Sequence, residues 1–433
     1  MIETRRPMRL LLREHGICGG TETVNIHLVQ QFTQLVEQVI WIVPHWRQTF
    51  FQKILPPSDR LMYELPDWPR EARFPTVLRK ATSFALRQRN VPARFAVQQL
   101  RDSLSDLWLN KLIRQHGITH CFCNWIFGIE APRIDVPLAA MVMDVRWKRY
   151  PDTLPRMDIQ AIEKQFCSWL KRSAVVFPVS EATAADIRRF FPGHHGKIRV
   201  VPHGADPYSH ARVSPNGLDR SDRCMFLCPA GADGHKNHLT LFQACAELFS
   251  RGFDFDVVLT GLGTDHFDFN RLNGNSPRCY DPAVESARNF LHQHRDSFGR
   301  RIKPLGYVGR AQLDAIYREC SAVVLPSVFE GFGLPLVEAL QTAAKIICSD
   351  IPAHREQLSR YGCADQVAIF KPSDSGALAG EMANVLNRPD VCNSRRLPIE
   401  ALKRWTWRHA ATSYLDSLAE LTPLTSTPET FRT

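Results

Sequence analysis

Short apolar runs alternate with longer amphipathic segments in the first half of the chain. Arg9–Arg13 and Val39–Val43 are typical of buried strands, and Val24–Leu35 between them carries apolar residues at helical spacing. Further strands are predicted at Thr119–Asn124, Leu138–Asp144, Ala174–Val179 and Ile198–Val201, and Ser180 is a candidate N-cap for the helix that follows Val179. This alternation predicts an α/β protein with a doubly wound parallel sheet.

The same alternation starts again after a polar stretch, Pro207–Asp222, which is the best candidate for a linker. The second set of predicted strands is Met225–Pro229, Val257–Thr260, Ile302–Leu305, Ala322–Leu325 and Ile346–Ser349. Helices are predicted near Leu239–Arg251, Pro282–Arg295, Ala311–Arg318 and Leu334–Gln341, with an inserted loop at Gly263–Asp281. We therefore expect a first domain at residues 1–210, a second at 211–402, and a frayed tail at 422–433.

Length and composition agree with two globular domains. The 433 residues exceed the roughly 250–300 at which a single core stops growing. No apolar run predicts a transmembrane helix, and the N-terminus lacks the apolar core of a secretion signal. The 12 cysteines show no disulfide or metal-site spacing, which favours free thiols in a reducing compartment. We expect a cytoplasmic protein.

The formal net charge of +10 raises the question of an anionic partner. Basic residues concentrate between Arg70 and Arg101, where apolar residues recur at helical intervals. A solvated helix face beside the core is one interpretation, and peripheral contact with an anionic membrane surface is the other. No basic run accompanies a known nucleic-acid motif, so no nucleic-acid partner is expected.

The most informative segment lies at Val328–Leu340, V-F-E-G-F-G-L-P-L-V-E-A-L, directly after the predicted strand at Ala322–Pro326. It contains a glycine turn followed by a helix with Pro335 near its start, and the two acids Glu330 and Glu338. Backbone amides at a helix N-terminus can bind an anion, and two carboxylates can bind hydroxyl groups. Two acids around an ordinary strand–helix turn are the structural alternative.

This string, with the preceding Pro326-Ser327, resembles the E-x7-E signature of the retaining GT-B glycosyltransferases of family four. The resemblance implies two Rossmann-like domains that face each other across a cleft, with a C-terminal helix at about 403–421 crossing back to the first domain. It also implies that Glu330 contacts the donor sugar and Glu338 the nucleotide ribose. The amides of Gly331, Phe332, Gly333 and Leu334 would complete the pocket for sugar and phosphate.

Other segments resemble the family's donor-binding motifs. His235-Lys236-Asn237-His238 is similar to its H-K-N-H variant, in which Lys236 would neutralise the diphosphate. Many relatives carry an Arg a few residues earlier, where this chain has Ala230-Gly231-Ala232-Asp233, so Lys236 needs help from amides or another side chain. Further donor contacts are expected from the Gly19-Gly20 loop, the Gly261 turn, Tyr307 and Val308.

On the acceptor side, Met143-Asp144 aligns with a family segment that often begins His-Asp. Met143 cannot donate a hydrogen bond as His would. Asp144 remains, and it would orient the acceptor or a neighbouring cation. The resemblance is thin from Pro44 to Gly117, where acceptor specificity usually resides.

The expected function is retaining transfer of a hexosyl group from a nucleotide-diphosphate sugar to a hydroxyl of a carbohydrate, lipid-linked or small-molecule acceptor. The catalytic residues would be Glu330, Lys236 and Asp144, with no metal and no cofactor beyond the co-substrate. The H-K-N-H variant favours GDP-mannose or a deoxysugar donor. A GT-B-fold binding or scaffold protein with weakened catalysis is the alternative, and a phosphorylase of the same architecture is a third interpretation.

Overall fold

A computed structural model describes residues 6–13, 19–65, 91–127, 129–153, 158–194, 197–205, 223–269, 281–342, 344–387 and 399–421. Its first six strands form one sheet: β1 Arg6–Arg13, β2 Val36–Ile42, β3 Leu61–Glu64, β4 His120–Cys123, β5 Leu138–Val142 and β6 Val175–Pro178. The order across this sheet is β3-β2-β1-β4-β5-β6, and every pairing between these strands is parallel.

The second sheet also has six strands: β7 Cys224–Pro229, β8 Phe255–Thr260, β9 Ile302–Pro304, β10 Ala322–Leu325, β11 Lys345–Ser349 and β12 Ala368–Phe370. Its order is β12-β11-β10-β7-β8-β9, again with parallel pairings. β8 and β10 are buried at every position. Parallel strands covered by helices on both faces need such unbroken apolar sequence, which explains the runs seen in the chain.

Helices connect the strands of both sheets. The described α-helices are α1 Gly20–Leu35, α2 His45–Ile54, α3 Val91–His116, α4 Arg146–Arg149, α5 Ile159–Arg172, α6 Glu181–Phe190, α7 His238–Ser250, α8 Pro282–Gln293, α9 Arg295–Phe298, α10 Arg310–Glu319, α11 Leu334–Leu340, α12 Pro352–Tyr361, α13 Ser375–Leu386, α14 Ile399–Arg404 and α15 Trp407–Ala419. Two open parallel sheets with flanking helices confirm the predicted pair of Rossmann-like domains.

Two predicted elements differ in the structure. Ile198–Val201 is not a strand: it follows the edge of β6 through one bridge, Val176 to Ile198, and two further backbone hydrogen bonds. α1 begins at Gly20 rather than at Val24, because the polar residues at positions 21–23 form its first turn. The edge strands β3 and β12 and the helix α2 were not predicted.

The C-terminal segment packs on the first domain. Tyr414 of α15 is fully buried, and its hydroxyl donates to the Val201 carbonyl over 3.2 Å. The Trp407 ring stacks on His27 of α1, with 4.9 Å between ring centroids. Just before α15, Trp405 accepts a 2.7 Å hydrogen bond from the Ala205 amide. Residues far apart in sequence are thereby joined beside the segment that connects the two sheets.

Several sequence predictions fall partly or wholly outside the described residues. They concern the linker at 207–222, most of the basic stretch at 70–101, most of the loop at 263–281 and the tail at 422–433. Among the helices that are described, none has the length and apolar character needed to span a membrane.

Candidate active site

The segment with the two glutamates lies where β10 leaves the second sheet. Glu330 is in the loop after the strand, and Gly333 adopts φ of 88° directly before α11. This left-handed conformation suits glycine, and a Cβ there would come within 3.3 Å of the His354 ring. Ser327 at the start of the loop accepts a hydrogen bond at its carbonyl from Ser349. The loop is therefore held from behind by the β11–α12 connection.

Glu330 forms an ion pair with the lysine of the H-K-N-H segment. Lys236 Nζ lies 2.7 Å from Glu330 Oε1, which also accepts a 2.7 Å hydrogen bond from the Ser327 hydroxyl. Burial raises the pKa of Glu330, but Lys236, His354 and these hydrogen bonds outweigh it and hold the pKa below its usual value. Glu330 is thus a carboxylate that is fixed beside a half-buried cation.

Glu338 is eight positions further on, on α11, and has different partners. Arg310 of α10 donates to Glu338 Oε1, and the Tyr317 hydroxyl donates to Oε2 over 3.1 Å. The Glu338 side chain is 15% exposed. Its two oxygens are therefore engaged by groups of the same domain, and a ribose would have to share or replace the contact with the half-exposed Arg310.

Gly331 is the point at which this loop meets the first domain. Its carbonyl accepts hydrogen bonds from Ser180 Oγ at 2.5 Å and Thr183 Oγ1 at 3.1 Å. A Cβ at Gly331 would overlap the Met143 carbonyl oxygen, so only glycine permits this approach. Phe332 and Gly333 are buried, whereas Leu334 is half-buried and lies within 3.7 Å of the position a Cβ would take at Gly20.

Asp144 follows β5 and reaches the same region from the first domain. Its Oδ1 accepts a 2.9 Å hydrogen bond from the Arg146 amide. Burial raises the pKa of Asp144, and Glu330 acts in the same direction, while Arg146 and Lys236 oppose them. The charges of Glu330 and Lys236 thus both affect the pKa of Asp144, and the three predicted catalytic residues lie close together between the two sheets.

Sequence reasoning did not single out Arg146. Its guanidinium crosses to the second domain, where NH1 lies 3.2 Å from Asp233 Oδ1 and also contacts the His235 ring. Burial lowers the pKa of His235 well below its usual value, and the adjacent Lys236 and Arg146 lower it further. The signal in the sequence was the lack of an arginine near Lys236, but nothing local pointed to a replacement from a distant segment.

The predicted glycine loop and Tyr307 meet on the other side of the cleft. Gly19 has φ of 94° and precedes α1, in which Glu22 lies in the first turn. The Tyr307 hydroxyl donates to Glu22 Oε1 over 2.9 Å, and the buried Arg47 pairs with Glu22 Oε2. Tyr307 is 53% exposed, and the neighbouring Val308 is half-buried. Tyr307 thus bonds to the first domain, a contact that the sequence did not predict.

Gly261 lies at the end of β8 with φ of 136°. Its amide donates to the Gly306 carbonyl over 2.8 Å, and a Cβ would come within 2.6 Å of the Gly231 nitrogen. The turn after β8 therefore packs directly on the backbone that leads to Lys236. Within the part of the chain that is described, no group of three or more His, Cys, Asp or Glu side chains is placed to hold a metal ion.

Comparisons with known proteins agree with this architecture. Residues 18–208 match the family model described as Glycosyltransferase Family 4, and residues 216–405 match the model described as Glycosyl transferases group 1. The structure is similar to that of Anabaena HepE in complex with UDP-glucose, with a TM-score of 0.61 and 13% identity, covering 96% of this chain and 100% of that one. The fold and both matches support assignment of the chain to the GT-B glycosyltransferases.

Curated relatives include two bacterial mannosyltransferases. The O-antigen chain mannosyltransferase RfbU of Salmonella typhimurium is 32% identical over 252 residues, which are 58% of this chain and 61% of the relative. The serotype-specific mannosyltransferase WbdA of Escherichia coli is 23% identical over 333 residues, which are 72% of this chain but 37% of the relative. The chain thus spans little more than a third of the length of WbdA.

Proposed function

We propose that this chain is a retaining glycosyltransferase that moves a hexosyl group from a nucleotide-diphosphate sugar to a hydroxyl acceptor. The observation that carries the proposal is the pair formed by Lys236 and Glu330, 2.7 Å apart, in the cleft that Asp144 enters from the other domain. A cation beside a fixed carboxylate suits a ligand that has a phosphate next to several hydroxyls.

In the proposed reaction the bond between the anomeric carbon and the donor phosphate breaks, and the acceptor oxygen bonds to that carbon from the same face. The acceptor proton passes to the leaving phosphate oxygen, so no protein nucleophile is needed. Lys236 stabilises the charge that develops on the phosphate, since fixed charges act most strongly in a site that excludes water. Glu330 accepts hydrogen bonds from the sugar hydroxyls, and Asp144 orients the acceptor.

Mannose is the first donor sugar to test, because the H-K-N-H variant favours GDP-mannose or a deoxysugar donor and both relatives described above are mannosyltransferases. We further propose that Glu338 binds the ribose, in which case the ribose competes with Arg310 for the Glu338 carboxylate.

The deciding experiment is a thermal-shift screen against GDP-mannose and against UDP, GDP, dTDP and ADP sugars, followed by a donor-hydrolysis assay. We expect one nucleotide sugar to raise Tm and to be slowly hydrolysed. Lys236→Ala should weaken its binding about tenfold or more, the usual cost of removing a charged hydrogen-bond partner. Lys197→Ala is the matched control, because Lys197 bonds to the Lys171 carbonyl away from the cleft.

A binding or scaffold protein with the same fold is the second candidate, favoured by Met143 in the position where relatives often have His. The same assay separates the two. Binding of a nucleotide sugar without any release of sugar, even with candidate acceptors present, would favour the scaffold. Release that requires added phosphate would instead favour a phosphorylase.

A further inference from the structure

One cationic side chain in the cleft comes from the domain opposite to Lys236. Arg146 begins the short helix α4, two residues after Asp144, and its amide donates to Asp144 Oδ1 over 2.9 Å. That backbone bond fixes the start of α4 relative to the carboxylate. The next residue, Trp147, is 1% exposed, so α4 is anchored in the core of the first domain.

The guanidinium of Arg146 extends from this anchor to the 3₁₀ turn Gly234–Lys236 of the second domain. NH1 contacts the His235 ring and lies 3.2 Å from Asp233 Oδ1. The Arg146 side chain is 16% exposed, whereas that of Asp233 is 51% exposed. The arginine is thus largely withdrawn from water, and its acidic partner can be displaced at the surface of the cleft.

The positive charges of Arg146 and Lys236 affect the pKa values of the same two groups, Asp144 and His235. Both lower the pKa of Asp144 against the effect of burial, and both contribute to lowering the pKa of His235. His235 is therefore neutral near pH 7 and adds no positive charge of its own. The positive charge described at this part of the cleft comes from one cation on each domain.

Lys236 alone is poorly matched to a diphosphate. Glu330 already neutralises its single charge at 2.7 Å, and residues 230–234 just before it contain no cation. A departing nucleoside diphosphate carries more than one negative charge, and a guanidinium can bind phosphate oxygens with two parallel hydrogen bonds. A second cation within reach is what the chemistry of this pocket requires.

We propose that Arg146 is that second cation, a donor-binding residue that contacts the diphosphate from the acceptor side of the cleft. In the absence of donor, Asp233 and His235 hold its guanidinium in place. The phosphate then replaces Asp233 as the anionic partner. This inference rests on the proposed function and adds to it a consequence: the phosphate site is built from residues of both domains.

The test compares binding of GDP with GMP, and of UDP with UMP, by calorimetry in the full chain and in Arg146→Gln and Arg146→Lys. Lys148→Gln is the matched control, because this substitution removes one positive charge from the same short helix. Lys148 pairs with Glu163 and not with the residues of the second domain that Arg146 contacts. For the diphosphate that binds, Arg146→Gln should weaken affinity about tenfold. The monophosphate should change less than about threefold, Arg146→Lys should lie between wild type and Arg146→Gln, and the control should match wild type.

The thermal shift caused by the diphosphate gives a second readout. The diphosphate should raise the Tm of the wild-type chain more than that of Arg146→Gln, because the variant lacks one of the cationic contacts to the ligand. Thermal unfolding of each variant checks that it is folded, and Arg146→Lys keeps the test possible should Arg146→Gln fail to fold.

Two results would overturn the inference. If Lys236→Ala weakens diphosphate binding and the Arg146 variants do not, Arg146 has no phosphate contact while the proposed function stands. If Arg146→Gln weakens the binding of monophosphate and diphosphate equally, Arg146 maintains the structure of the cleft and does not contact the second phosphate. Failure of the wild-type chain to bind any diphosphate would remove the proposed function as well.

Discussion

At the scale of single residues, the pKa values of the candidate catalytic carboxylates Asp144 and Glu330 are shifted in opposite directions. Burial raises the pKa of Asp144, whereas Lys236 and other neighbours hold the pKa of Glu330 below its usual value despite its burial. Carboxylates whose environments push their pKa values apart are characteristic of sites in which each has its own role. Both roles can be tested with substitutions that keep the shape of the side chain.

Glu330→Gln should reduce transfer about 100-fold or more, because the amide cannot hold the sugar hydroxyls as a carboxylate does. The amide oxygen can still accept from Ser327, so Tm should change by only a few degrees. Initial rates with a saturating donor measure the effect. Glu247→Gln, on the exposed face of α7, is the control. Near-normal turnover of a folded Glu330→Gln protein would remove Glu330 from the site.

Asp144 should set the acid side of the pH–activity profile. Since its pKa is raised, its carboxylate is lost at a higher pH than for an ordinary aspartate, and activity should fall as the pH decreases through that raised value. Glu330, whose pKa is lowered, should become protonated only at a lower pH. Measuring kcat/KM from pH 4 to 8 shows this decrease on the acid limb of the profile. In Asp144→Asn the pH dependence on that limb should disappear. An unchanged limb in Asp144→Asn would assign it to another group.

At the scale of elements, α6 has an N-terminus that is capped from the other domain. Ser180 Oγ accepts from the Thr183 amide, and Glu356 of α12 accepts from the amides of Glu181 and Ala182, both over 3.0 Å. These amides have no partner within the helix, and a carboxylate also interacts favourably with the helix dipole. The cap therefore joins the two domains beside the Gly331 contact.

Glu356→Ala should lower the free energy of unfolding by about 1–3 kcal/mol, because it leaves helix amides and Arg360 without their acceptor. Chemical denaturation measures the loss. Glu420→Ala is the control, since Glu420 forms an exposed pair with Arg199 and such pairs contribute about 0–1 kcal/mol. Equal losses of unfolding free energy in the two variants would show that the cap across the domains stabilises the chain no more than an exposed ion pair does.

The sequence predicted the central strands well, because parallel strands buried on both faces need apolar runs, as in Ala322–Leu325. It missed the edge strand Leu61–Glu64, which has one buried residue, and Ala368–Phe370, which is one residue shorter. Arg146 and the bond from Tyr307 to Glu22 were missed for a different reason. They depend on how the two domains face each other, and no local periodicity encodes that arrangement.

At the scale of the whole molecule, several buried histidines are neutral. Burial lowers the pKa of His203 to about 3 and that of His238 to about 4. His203 lies between Phe332 and Trp407, where the chain passes between the domains. Such a histidine binds a proton more readily when unfolded, so its contribution to stability is complete above pH 6.5 and is lost as the pH falls towards 3.

His203→Phe should therefore make stability less sensitive to acid. Between pH 7.5 and 5 the wild-type chain should lose about 2 kcal/mol through His203 alone, and the variant should not. The quantity to compare is the difference in unfolding free energy between the two pH values within each protein, which cancels any packing change. Identical differences in both proteins would mean that His203 is not buried as described.

The proposed chemistry uses Lys236 and Arg146 in place of a divalent ion. We therefore predict that a chain treated with EDTA and dialysed retains its donor-hydrolysis rate within about twofold, a difference well below the usual effect of a catalytic metal. Added Mg²⁺ or Mn²⁺ should change that rate little. A rate that is lost in EDTA and restored by either ion would refute the metal-free mechanism.

The most direct test of the central claim is a crystal structure of the chain with the nucleotide sugar selected by the thermal-shift screen. We predict the diphosphate within hydrogen-bond distance of Lys236 Nζ and the sugar hydroxyls on Glu330, with both domains in contact with the ligand. A nucleotide bound elsewhere on the chain, with the Lys236–Glu330 pair intact and the cleft empty, would contradict the account.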